Sequence, residues 1–232
     1  MSLFREAKRA AAVGGAASAG IDVAEPRKGL DLVVLGRDRS ILLSQGGLTP
    51  VQAAHITLSM RPAVVCIDSP SGWSTSGRSR SAERLLARVG IQSYRTGADP
   101  GDHPFYRWMR VGFEVFARLS TAYPLYRGGR VAETAAEIFP HASACLLAGA
   151  LRPQAVSKHR FRRTILQQAG VREDQLETGD RVDAALGALT GLIALDGAHS
   201  AVGDPSEGMI LLPVPRVPDR PLPRGRTRLT RG

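Results

Sequence analysis

The sequence predicts an α/β domain, a mixed sheet flanked by helices with a helical insertion. Three observations predict it. The stretch Ala63-Val64-Val65-Cys66-Ile67 is apolar on both faces, as a central strand covered by helices on each side must be. Two short strand patterns, Leu30–Gly36 and residues 40–44, flank a tight turn at Arg37-Asp38-Arg39, which reads as a hairpin. Helical patterns with their own start signals then alternate with strands, which builds a parallel portion beside the hairpin.

Taken in order, residues 19–24 read as the first strand, ahead of the hairpin. Thr49-Pro50 opens a helix, with Thr as N-cap and Pro at the first helical position, and Arg61-Pro62 closes it. The central strand ends in the turn-rich Asp68-Ser69-Pro70-Ser71-Gly72. Residues 81–89 are helical, with Leu85, Leu86 and Val89 on one side. Residues 90–130 form the insertion and hold most of the aromatics, with a helix over 105–120. A strand over 131–139 stops at Pro140. Helices follow from His141, over 157–170 and over 180–195, and a turn and short apolar segment occupy 202–215. The domain therefore spans residues 16–213. A flexible lead-in (1–15) precedes it, and a basic Pro/Arg-rich tail (214–232), expected to be disordered, follows it.

Composition narrows the function classes. The 232 residues are 43% hydrophobic and 22% charged, which excludes a wholly disordered chain. No run of about 18 uninterrupted apolar residues occurs, so no membrane span is expected. Two cysteines in apolar surroundings exclude a disulfide scaffold and a cysteine-built zinc site, and they suit a reducing, cytoplasmic setting. The net charge is +10, of which +5 falls in the tail from Arg216 onward. A mildly basic domain with a basic tail favours a polyanionic partner, nucleic acid first, DNA or RNA.

Acidic residues stand where a soluble domain usually avoids them. Asp22 lies in the first strand, with only Gly20 and Ala24 as its same-face neighbours. Asp68 caps the carboxyl end of the central strand, where ligands gather in α/β sheets. Glu137 lies late in another strand beside the small Ala135. Asp180 and Asp183 begin the last helix, where Asp183 borders the apolar stripe of Val182, Leu186, Leu189 and Ile193. Small residues on that helix (Ala184, Gly187, Ala188, Gly191) permit close approach to the sheet. Each acid also has a plain local use: turn residues at Asp22 and Asp68, a solvent-facing strand position at Glu137, favourable helix-start charges at Asp180 and Asp183. Gathered together, they repel unless a cation joins them, and oxygen ligands suit Mg²⁺ or Mn²⁺ rather than zinc. Two such ions about 4 Å apart stabilise the attacking and leaving oxygens of a phosphodiester.

Several segments carry a resemblance: Gly20-Ile21-Asp22-Val23-Ala24, Val65-Cys66-Ile67-Asp68-Ser69-Pro70-Ser71-Gly72, Ala136-Glu137-Ile138-Phe139-Pro140, Ser157-Lys158-His159, Asp180-Arg181-Val182-Asp183 and Gly203-Asp204-Pro205-Ser206-Glu207-Gly208. In order and spacing they resemble the family of ribonuclease H-like nucleases known as domain of unknown function 429, over roughly residues 18–213. The resemblance implies a ribonuclease H-like sheet and a divalent-metal-dependent nuclease. Asp22, Asp68, Glu137 and Asp183 would be its catalytic metal ligands, Asp180 a fifth ligand, and two Mg²⁺ or Mn²⁺ ions the cofactor. Asp22 would bridge the ions. Arg78, Arg80 and Arg84 after the Asp68 loop, and Lys158, His159 and Arg160 at the start of a later helix, are the candidates for gripping nucleic-acid phosphates. Two alternatives stay open: an inactive nucleic-acid-binding or scaffolding protein of the same fold, and a nucleotide-binding phosphotransferase. The phosphotransferase lacks the glycine-rich phosphate loop it would need. No Gly-x-Ser-x-Gly elbow exists for a serine hydrolase.

Overall fold

The computed structural model describes residues 15–75, 77–98 and 100–225. Seven strands form one sheet: β1 (Ala16–Asp22), β2 (Leu30–Gly36), β3 (Ile41–Leu48), β4 (Val64–Asp68), β5 (Ala135–Glu137), β6 (Ser200–Asp204) and β7 (Gly208–Leu212). The spatial order is β3-β2-β1-β4-β5-β7-β6. The β1–β2, β2–β3 and β6–β7 pairs are antiparallel, and β4, β5 and β7 continue the sheet parallel to β1. Among the described residues six α-helices accompany the sheet: α1 (Pro50–Met60), α2 (Ser81–Arg88), α3 (Arg107–Leu119), α4 (Pro140–Ala148), α5 (Lys158–Gln168) and α6 (Gly179–Leu195). The expected α/β class and mixed sheet flanked by helices are what the chain forms. Among the described residues, no helix is long and apolar enough to cross a membrane.

Strand alternation divides the core between two faces. Val33 and Leu35 of β2 pack with α4, α5 and α6, while Leu32 and Val34 pack with α1 and α3. Local signals fix the helix ends. Thr49 and Gln52 form a reciprocal capping box around Pro50, and Arg61 closes α1 in the left-handed conformation before Pro62.

The approach of α6 to the sheet decides where the site lies. A Cβ on Gly20 of β1 would sit 1.9 Å from the Ala184 carbonyl oxygen and 2.4 Å from the Ala188 amide of α6. On Gly191 it would meet Ser18 Oγ at 2.4 Å and Cys66 Sγ at 2.8 Å. Backbone-to-backbone contact of this kind is available only to small residues, and it lays the first turns of α6 across the ends of β1 and β4. Gly20→Ala therefore lowers the melting temperature by roughly 5–10 °C, the effect of an overpacked core in a chain of this size. Gly72→Ala, where nothing lies within 4 Å of the added carbon, leaves it unchanged. Thermal melts of the two variants check this.

Several boundaries differ from the sequence expectation. Where a turn and a short apolar segment are expected over 202–215, residues 200–212 form a β-hairpin, β6–β7, whose Gly203 and Gly208 adopt positive φ (123° and 100°). Helix α3 accounts for much of the insertion. The tail is not loose over its described part. Leu222 is buried, its amide donates to the Val89 carbonyl at 3.0 Å, and the Leu151 and Gly225 amides bond the Pro223 and Leu151 carbonyls at 2.8 Å. Residues 226–232, and all of the expected lead-in except Gly15, lie outside the described residues.

Candidate metal centre

Parallel pairing of β1 with β4 sets Gly20 opposite Cys66 and Asp22 opposite Asp68. Two carboxylates thus leave the sheet side by side, on the face that α6 covers. The glycine-alanine stripe of α6 brings Asp183 down onto them. Carboxylate oxygens of Asp22, Asp68 and Asp183 all lie within 4.8 Å of one another.

The electrostatics follow from burial and crowding. Asp22 is held well above the usual carboxylate range, first by burial and then by Asp68 and Asp183. Burial, followed by Asp183, pushes Asp68 up to about 8. Asp183 rises to about 6 through burial, against the opposing pull of Arg162. Arg162 of α5 donates to Asp183 Oδ2, while Asp183 Oδ1 is buried with no hydrogen-bond partner. A buried carboxylate oxygen with no donor, facing two more carboxylates, is a donor set for a hard divalent cation. The residues present fit that group.

A cleft of about 770 Å³ opens from this cluster. Asp68, Asp183, Arg162, Lys158, Arg152 and His141 are among its lining residues. Burial, then Arg162, Lys158 and Arg152, lowers His141 to about 4, so the imidazole is neutral at physiological pH.

A family model described as Protein of unknown function (DUF429) matches residues 20–207. The chain belongs to this family. No curated protein and no solved structure matches it. The DUF429 match runs from Gly20 to Glu207 and so contains all three clustered aspartates, the whole of the loop after Asp68 and the β6–β7 turn.

Within this DUF429 chain the other expected site residues have separate positions. Glu137 is not in the aspartate cluster. It pairs in register with Ile67 rather than Asp68, so strand alternation directs it away from the trio, although it lines the same cleft and its charge helps to raise Asp68. There Arg80 grips both its oxygens, at 2.5 and 2.8 Å, and the Ser71 amide donates to it at 3.1 Å. Asp180 is ion-paired with Lys28 of the β1–β2 turn, outside the trio. Arg80, expected to grip nucleic acid, is 1% exposed at the cleft wall, and its guanidinium is occupied by Glu83 and Glu137. Arg78 and Arg84 are exposed, and Arg84 donates to the Ser79 carbonyl. Lys158, His159 and Arg160 are exposed at the start of α5, where Lys158 lines the cleft and His159 accepts from Arg163 at 2.8 Å.

Arg152 is a cleft residue that the sequence does not single out, whereas Arg162 belongs to the basic cluster of Lys158, His159, Arg160, Arg162 and Arg163 that the sequence shows at the start of α5. For Arg162, the position one turn after Lys158 on the same helix face is the available signal.

Glu207 does not reach the aspartates. It pins the loop after Asp68, accepting from Ser74 Oγ at 2.8 Å, the Thr75 amide at 3.0 Å and the Ser81 amide at 3.0 Å. The Ser81 amide and Ser74 hydroxyl hold its carboxyl down at about 2. Glu207→Ala accelerates hydrogen exchange at the Thr75 and Ser81 amides while those of β1 and β4 keep their protection. Amide-resolved exchange measures this.

Proposed function

We propose that the chain is a divalent-metal-dependent phosphodiesterase acting on nucleic acid, built on a ribonuclease H-like scaffold. One observation carries the reading. Asp22, Asp68 and Asp183, from two adjacent strand ends and one helix, converge within 4.8 Å and leave Asp183 Oδ1 without a partner. The strand order β3-β2-β1-β4-β5, antiparallel then parallel, is consistent with that scaffold.

Mg²⁺ or Mn²⁺, when bound, supplies Lewis acidity to a phosphodiester and makes water a better nucleophile at neutral pH. The protein's part is to present three carboxylates already gathered, so that little reorganisation is needed. Asp22 and Asp68 are fixed by strand register and Asp183 by the packed helix. Arg162 steadies Asp183 through Oδ2 and leaves Oδ1 available. Arg152 and Lys158, in the same cleft, attract a phosphate backbone toward the acids.

Calorimetric titration with Mn²⁺ tests the metal reading. The parent protein binds the ion, and the Asp22→Asn/Asp183→Asn double variant does not. A panel of labelled DNA and RNA substrates with Mn²⁺ then tests hydrolysis. The Arg162–Asp183 ion pair favours one competing reading, in which a protein cation partly neutralises the cluster and nucleic acid is bound without turnover. Equal heats for parent and double variant, with salt-sensitive binding unaffected by the metal, would establish that reading instead.

A further inference from the structure

The cleft beside the aspartates has a second kind of wall. Tyr94 and Trp108 line the same 770 Å³ space as Asp68, Asp183, Lys158 and Arg162. Tyr94 is 61% exposed and neighbouring Phe105 is 38% exposed, and the two stand among the exposed large hydrophobic side chains of the described residues. The rings form one edge-to-face group, Tyr94 lying 5.2 Å from Phe105 and 6.0 Å from Trp108. For the aromatics of residues 105–126 the sequence alone offers two uses, stacking on bases and, the better supported, packing in the core. Core packing holds for Phe116, Tyr123 and Tyr126, which are buried, but not for Phe105, and Tyr94 lies ahead of that range.

An exposed aromatic platform continuous with a basic wall and a carboxylate cluster suits one ligand chemistry. The cations take phosphate, and the ring takes the flat face of a base. Bases in a duplex are stacked on one another and offer no free face to a protein ring, whereas unpaired bases do. The volume agrees: roughly 300–1,000 Å³ is the range of a small-ligand pocket, room for a nucleotide or two rather than for a double helix. His141 adds a buried Nδ1 with no partner, a hydrogen-bonding position for a base or sugar.

We infer that the cleft binds single-stranded nucleic acid, with an unpaired base stacked on Tyr94 and the adjoining phosphate drawn between the Arg152/Lys158/Arg162 wall and the aspartates. As a statement about substrate, this rests on the phosphodiesterase reading above. As a statement about binding, it stands separately.

The test uses the full chain carrying Asp22→Asn, which lowers the negative charge of the site and suppresses cleavage. Fluorescence anisotropy compares labelled single-stranded DNA and RNA oligonucleotides with the blunt duplex of the same sequence, at one salt concentration with Mg²⁺. The single strand binds about tenfold tighter or better. Adding Tyr94→Ala weakens single-strand binding by about tenfold and leaves duplex binding unchanged, and Tyr94→Phe restores it. Thermal melts verify that the variants are folded, as expected for so exposed a side chain. Duplex bound as tightly as single strand, or Tyr94→Ala without effect, overturns the inference. The parent protein's Mn²⁺-dependent cleavage is read in parallel. Single-strand-selective binding without cleavage defeats the hydrolase reading and keeps the cleft assignment, whereas indiscriminate cleavage of duplex does the reverse.

Discussion

On the phosphodiesterase reading proposed above, Asp22→Asn reduces Mn²⁺-dependent cleavage by roughly 10³-fold or more, while the same variant melts a few degrees higher than the parent in chelator. The first effect is the loss of transition-state charge stabilisation amounting to several kcal/mol, at 1.36 kcal/mol for each tenfold. The second comes from the same carboxylate in the metal-free protein. Asp22 is buried at 8% exposure against two other acids, with no cation of its own. Replacing it with a neutral isostere removes repulsion that folding otherwise has to overcome, the usual exchange of function against stability. Cleavage assays and melts with and without Mn²⁺ measure both. The parent gains stability on adding Mn²⁺ by mass action, and the variant does not. A variant that melts no higher in chelator and still responds to Mn²⁺ defeats the assignment.

The pH dependence has a definite sign. Folding raises the pKa of Asp22, of Asp68 (to about 8) and of Asp183 (to about 6), so above the ordinary carboxylate range the folded protein holds protons the unfolded chain has released. The stability contributed by the protonated groups is complete below about pH 4 and is lost as pH rises through roughly 6 to 8. In chelator this contribution declines over that window. With saturating Mg²⁺ the decline flattens, because the cation replaces the protons.

The aspartate cluster was legible because its causes are local. Asp22 and Asp68 mark strand ends, and the glycine-alanine pattern of residues 184–191 announces a helix that lies close to a sheet. Glu137 shows where that legibility stops. Its strand was recognisable, but whether it faced Asp68 or turned away depended on one residue of register between β4 and β5, which no single strand encodes. The burial of Arg80 was hidden for a related reason. With Arg78 and Arg84 it reads as a solvated basic face, yet the chain dips inward at one of the three because Glu83 and Glu137 wait there, one nearby and the other 57 residues on. The β6–β7 hairpin was hidden by glycines that are uncommon within strands, and the packed part of the tail by composition alone, since Val214, Val217 and Leu222 are isolated apolar residues among prolines and arginines.

Arg80→Ala lowers the melting temperature by roughly 6–20 °C, about 3–5 kcal/mol, the largest stability effect expected of a single substitution in this chain. The guanidinium is fully buried and uses its fork in several directions: Nε to Glu83 at 3.1 Å, both terminal nitrogens to Glu137, and one of them to the Glu207 carbonyl at 3.3 Å. Burial works against its charge, and Glu137 and then Glu83 outweigh that, so its pKa stands above the ordinary arginine value. The pair is not a gain over an apolar core of the same shape; its removal is costly because two carboxylates remain inside with nothing to neutralise them. Glu83 retains the Thr96 amide, at 3.0 and 3.2 Å, and Glu137 the Ser71 amide, and neither supplies a positive charge. Arg80→Lys therefore rescues little, since an ammonium cannot span both carboxylates. Arg80→Met combined with Glu83→Gln and Glu137→Gln recovers part of the loss by withdrawing the charges together. An Arg80→Ala protein that melts within a degree or two of the parent would show that the loop after Asp68 relaxes to let water reach the two glutamates. The scaffold behind the aspartates would then be softer than this buried network requires.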